Sequence, residues 1–138
     1  MLQYPAKISR EGEHFLVSFP DFENINTFGS TLEEALLNAE EALNGCLESD
    51  FERNFHICDP SQCDGKDIQF IPVHAHIAVA LMLRKLRADN SQIEIAKKLN
   101  ISYQVYQRLE NPRKSNPTIK TLEKIARVYG KKMELGFI

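Results

Sequence analysis

Tyr103, Gln104, Gln107 and Arg108 lie in one short stretch that also holds Tyr106 and Leu109. At 3.6 residues per turn, the first four turn outward and the last two turn inward. Arg, Gln and an aromatic ring are the groups that read base edges in duplex DNA. Arg pairs with guanine, Gln with adenine, and aromatic or apolar groups meet the thymine methyl. The surrounding segment SQIEIAKKLNISYQVYQRLENP, residues 91–112, has helix-turn-helix spacing. Ile95, Ala96 and Leu99 face inward, Ala96 is small where the helices cross, and Ile101 fills the turn. Gln92 stands at the first helix's N-terminus, where it joins backbone N–H groups in holding a phosphate.

Two other sets of residues suggest chemistry, and their spacing argues against both. Asp21, Glu34, Glu41 and Asp67 would have to converge on two metals about 4 Å apart for nuclease work. No D-x-E pattern on a strand singles them out, so no catalytic residue is expected. His56-x-Cys58-x4-Cys63, with His74-x-His76, supplies enough zinc ligands in number. The spacing matches no standard finger, so neither metal nor cofactor is expected. Cys46 falls on an apolar helix stripe and is expected in the core.

The elements that position these residues follow from periodicity. Leu2, Tyr4, Ala6 and Ile8 alternate with polar or turn residues, as do Phe15, Val17 and Phe19, which predicts two half-buried strands. Arg10-Glu11-Gly12-Glu13 is the hairpin turn between them. A third strand fits Ile25 to Phe28, and Gly29 stops it. Thr31 and Glu34 form a capping box that opens a helix with Leu32, Ala35, Leu36, Ala39, Leu43, Cys46 and Leu47 on one stripe. Glu33, Glu40, Glu41 and Glu48 lie off that stripe, as a solvated face or as a docking surface for a basic partner. Residues 53–67 are irregular, and Ile68–Val73 is a fourth strand. The order β-β-β-α-β predicts an α+β module with a helix packed on a small antiparallel sheet.

From His76 the pattern changes to short helices. Ser91 with Glu94 forms a second capping box, Asn100 is a left-handed stop, and Ser102 and Thr118 cap two further helices. Gly130 ends the last one. Met133–Ile138 alternates and predicts a terminal strand.

Charge divides the chain at the same place. The net charge is −2 over 138 residues, but residues 1–72 carry −10 and residues 73–138 carry +8. Two modules facing partners of opposite sign are expected. The composition, 43% hydrophobic and 26% charged, is globular rather than disordered. No apolar run reaches the roughly 20 residues of a membrane span, and no apolar leader opens the sequence. Three cysteines fit a reduced cytosol, so a cytoplasmic location is expected.

Residues 77–130 resemble the Cro/C1 (XRE-type) repressor fold, through Gln92…Ala96, Ile101-Ser102 and Arg108-Leu109-Glu110-Asn111. The resemblance implies Gln92 and Asn111 on the DNA backbone, and Tyr103, Gln104 and Arg108 in the major groove. Ser102 and Gln107 complete the expected DNA-contacting set. It also implies a partly buried ion pair between Glu110 and a base on the first helix, for which Lys85 is the choice. Pro112 stands where this fold usually has glycine, so the loop after the recognition helix takes another path.

Residues 2–47 resemble a HicB-type antitoxin domain, through Phe15-x-Val17-x-Phe19-Pro20-Asp21-Phe22…Thr27-x-Gly29-x-Thr31-x-Glu33-Glu34-Ala35. Asn24 replaces a glycine of that pattern, and Asn tolerates positive φ. A second glycine of the first hairpin is replaced by Glu13 or His14. The resemblance implies a partial RNase H-like fold without nuclease activity. It further implies a HicA-like partner, a small basic mRNA-cleaving toxin whose active site the antitoxin masks.

The expected organisation is a toxin-neutralising domain at 1–72 and a DNA-binding and dimerisation domain at 73–138. The chain would then repress its own operon through operator DNA, as a homodimer or higher homo-oligomer. The competing expectation is a stand-alone helix-turn-helix repressor whose N-terminal domain senses a ligand or a protein.

Overall fold

The structure, a computed structural model, describes residues 2–137. The chain divides into two compact units, residues 1–75 and 76–138.

The first unit contains β1 (Gln3–Glu11), β2 (His14–Phe19), β3 (Phe22–Gly29), α1 (Leu32–Glu52) and β4 (Ile68–Pro72). Its strands form one antiparallel sheet in the order β3-β2-β1-β4. The β1–β2 hairpin turns on Gly12 and Glu13, with Glu11 opposite His14. Gly12 has φ +61° at the first of the two loop residues, where a type II′ turn requires glycine. One glycine therefore suffices, and Glu13 is tolerated. Asn24 departs from its expected left-handed conformation. It lies inside β3, where three residues bulge between the Ser18–Asn26 and Phe19–Phe22 pairs. The bulge absorbs the irregularity that a glycine turn would otherwise carry.

Tyr4, Ala6, Val17, Phe19, Phe22 and Ile71 are buried on the sheet, and Ala35, Ala39, Leu43, Leu47 and Phe51 are buried on α1. The helix stripe has small residues at its N-terminal end and large ones further on. The reason lies at Gly29, where an added Cβ would stand 2.4 Å from the backbone nitrogen of Ala35. Helix and strand meet backbone to backbone there. Leu43 and Leu47 fill the wider end, each contributing about 1.5–3 kcal/mol by burial. Cys46 is only half-buried, with Sγ 3.7 Å from Asp50 Oδ2.

Thr31 caps α1 by accepting the Glu34 N–H (3.1 Å), while Glu34 Oε2 accepts from Ser30 N (3.3 Å) rather than from the cap residue itself. Asn44, buried in α1, donates to Pro72 O (3.1 Å) and accepts from His74 N (2.8 Å), which fixes the end of β4 to the helix. Residues 54–67 have no regular structure but are anchored. Tyr4 Oη donates to Cys58 O (2.6 Å), and Ser61 N donates to Asp21 Oδ2 (3.0 Å).

The second unit is helical, with α2 (Ala75–Arg87) leading into it, followed by α3 (Gln92–Leu99), α4 (Tyr103–Leu109) and α5 (Ile119–Val128). Leu83, Ile95, Ala96, Leu99, Tyr106, Leu109 and Ile125 form its core. The expected terminal strand is not formed. Residues 131–137 belong to no strand, and Ile138 lies outside the described residues. A strand needs a partner for its N–H and C=O groups, and among the described residues of this unit there is none.

Candidate nucleic-acid interface

Local caps position α3 and α4. Ser91 accepts the Glu94 N–H (3.1 Å), and Ser102 accepts the Val105 N–H (3.2 Å). Between the helices Asn100 is left-handed at φ 57° and ψ 44°, which turns the chain sharply enough for Ile101 to fold back on the core. Ile101 N donates to Ala96 O (3.0 Å). The turn is therefore a property of a few residues, which is why its spacing was legible.

On α4 the inward positions are Tyr106 and Leu109, both buried. Tyr103, Gln104, Gln107 and Arg108 are exposed together on the other side. Ser102 spends an oxygen lone pair on the cap but keeps its O–H to donate. Gln92, half-buried, begins α3 beside the free N–H groups of its first turn. Asn111 is partly committed, since its Oδ1 accepts the Arg113 N–H (3.1 Å). Its Nδ2 is a separate donor that this bond does not use. Pro112 is buried, and the loop tightens through Lys114 N and Ser115 N, both donating to Asn111 O (3.0 and 2.7 Å). The loop after α4 is this closed turn, with Asn111 as its hub.

Glu110 pairs with Arg87, and Lys85 is not the partner expected for it. Arg87 Nε donates to Glu110 Oε2 (2.7 Å) and Arg87 Nη2 to Glu110 Oε1 (3.0 Å), while Arg87 Nη1 donates to Asn90 O (2.8 Å). Residues 85 and 87 are two apart on α2, so their side chains diverge by roughly 200°, and only one can enter the core. Arg is also the residue whose planar fork matches a carboxylate in two bonds. The pairing holds the Arg87 guanidinium above its ordinary pKa. Burial, reinforced by the Glu110 carboxylate, pushes the Tyr106 phenol far above its usual value. Helix α4 is thus held at its C-terminal end by a charged, buried cluster.

The sequence reading missed Arg87, and a bidentate geometry cannot be read from spacing alone. It also missed Asn44 and the anchors of residues 54–67, which join positions 28 to 54 residues apart. Among the described residues no group of three or more His, Cys, Asp or Glu side chains is placed to hold a metal ion. None of the described helices is long and apolar enough to cross a membrane.

Comparison with known proteins adds an independent line. Residues 3–81 match a family described as the HicB-like antitoxin of bacterial toxin-antitoxin systems, and residues 82–135 match the helix-turn-helix family. Two relatives from Photorhabdus laumondii, named Antitoxin HicB 1 and Antitoxin HicB 2, are 33% and 32% identical. The alignments span 98% and 97% of this chain, and 86% and 95% of those proteins. Antitoxin HicB of Escherichia coli K12 is 29% identical over 99% of this chain and its own full length. Each of these relatives is named as an antitoxin. A four-stranded antiparallel sheet with its helix, joined to a helix-turn-helix and matched over nearly all its length by such relatives, belongs to the HicB-like antitoxin family.

Proposed function

We propose that the chain is the antitoxin of a HicA-like mRNA-cleaving toxin, with residues 1–72 masking the toxin and residues 73–138 binding operator DNA. The observation that carries this reading is the charge division along the family match. The antitoxin-type unit holds −10, complementary to a protein that must bind RNA, and the helix-turn-helix unit holds +8, complementary to phosphates. Bound at its own operator, the antitoxin represses its operon and acts in the cytoplasm. No catalytic group is needed for either task.

Gln104, Gln107, Arg108 and Tyr103 read the major groove, while Gln92, Ser102 and Asn111 hold the backbone. Arg108→Ala is expected to cost about 1–3 kcal/mol of operator affinity, with toxin inhibition unchanged. A mobility-shift titration on the DNA upstream of its gene measures this. Unaltered affinity there means that α4 is not the reading helix.

One helix-turn-helix grips few base pairs, and two are normally held about 34 Å apart by dimerisation. Residues 133–138, in which Leu135 is 73% and Phe137 99% exposed, are the segment we assign to that contact. Ending the chain at Gly130 is expected to convert the dimer to a monomer in solution and weaken operator binding. A truncated chain that remains dimeric places the contact elsewhere.

A further inference from the structure

We propose that the groove between α1 and β4 is the seat for an apolar side chain of the basic toxin, with Glu33 and Glu40 meeting Lys or Arg beside it. The proposal rests on the antitoxin reading above and gives it a surface.

The groove has a volume of about 250 Å³, and its lining includes Glu33, Leu36, Leu37 and Glu40 of α1 with Gln69 and Ile71 of β4. Leu37 is 60% exposed in the first half of a long helix, one residue off the stripe that packs on the sheet. Such a side chain keeps more than half of its surface in water after folding and stands ready to gain from binding. Glu33 and Glu40 are seven residues apart, so they bracket Leu36 and Leu37 over about 10 Å of helix. Glu40 is oriented by a 3.0 Å hydrogen bond to His74 Nε2. An apolar centre with a charged rim is the usual anatomy of a protein contact.

Charge decides which occupant fits. A second copy would bring its sheet unit of −10 against the same acidic rim, and its unit of +8 is the one given to DNA above, whereas a free basic protein is attracted to the rim. Strand addition to the β4 edge contributes little. Gln69 and Ile71 bond to β1, so Ile68, Phe70 and Pro72 turn their backbone groups outward. Of these, Ile68 N donates to Gly65 O (3.3 Å), Pro72 has no N–H, and Pro72 O accepts from Asn44. The ladder left over is too short to hold a partner, and the groove carries the contact.

The test titrates full-length protein with the HicA-like toxin of its own operon, made catalytically silent. Leu37→Lys is expected to weaken binding at least about tenfold, with thermal unfolding and operator affinity as in the unsubstituted chain. Glu33→Lys shifts binding the same way by less. Phe28→Ser, at a residue 58% exposed outside the groove, leaves it unchanged. If the unsubstituted chain binds toxin and Leu37→Lys binds equally well, the groove is the wrong surface while the antitoxin reading stands. If Leu37→Lys alters only the self-association mass, the groove holds a second copy and the proposal is overturned. If the unsubstituted chain does not bind the toxin, the antitoxin reading itself fails and takes the groove with it.

Discussion

Replacing Arg87 with alanine is expected to destabilise the helix-turn-helix unit strongly and leave the sheet unit as stable as before. Glu110 is 3% exposed and accepts two bonds from Arg87, of 2.7 and 3.0 Å. Removing one partner of a buried pair leaves a charge without compensation, at about 3–5 kcal/mol. That is a large share of the stability of a unit of some 60 residues. The prediction is a lowered first transition in calorimetry with the second unmoved, and loss of operator binding in parallel. The double change Arg87→Met with Glu110→Leu is expected to recover most of the stability, because a dry apolar pair replaces a dry ionic one. Recovery of DNA binding with it would mean that the pair serves the fold, and that Arg108 and its neighbours do the reading.

Gly29→Ala is expected to destabilise the sheet unit by about 3 kcal/mol, near the top of the range for overpacking. The new Cβ would stand 2.4 Å from Ala35 N and 2.8 Å from Ala35 Cα, and both are backbone atoms in the first turns of α1. No rotamer change relieves the clash, so the helix must lift from the strand. Ala35 and Ala39 then lose the approach that makes their small size useful. Chemical denaturation followed by far-UV circular dichroism measures the loss, and toxin binding should fall with it. A variant as stable as the unsubstituted chain would show that α1 can shift without cost.

What the sequence made legible was local. Ser91, Ser102 and Thr118 accept the expected N–H groups, Asn100 adopts the left-handed stop, and Tyr106 and Leu109 lie inward, because each depends on neighbours within one turn. The β-β-β-α-β order followed from alternation and one capping signal. The misreadings have a different physical origin. Lys85 is expected to pair with Glu110 and Arg87 does so instead, because helix phase at the end of α2 is not fixed by apolar spacing. The terminal strand failed because alternation shows which face a strand would bury, but not whether a partner strand exists. Asn24 was given a left-handed role that the β3 bulge made unnecessary. Asn44, Tyr4 and Asp21 act through partners 28, 54 and 40 residues away, and pairings at that distance leave no periodic trace.

The central claim is that the acidic unit alone captures the toxin and the basic unit alone captures DNA. The direct measurement is calorimetric titration of residues 1–75 with the HicA-like toxin. The end at 75 keeps Val73, whose N–H donates to Leu2 O (3.0 Å), and His74, which bonds Asn44. The account predicts toxin affinity close to that of the full chain and no affinity for operator DNA. Toxin binding only by residues 76–138 contradicts this division of labour, and no toxin binding by a full chain that still binds the operator leaves a stand-alone repressor.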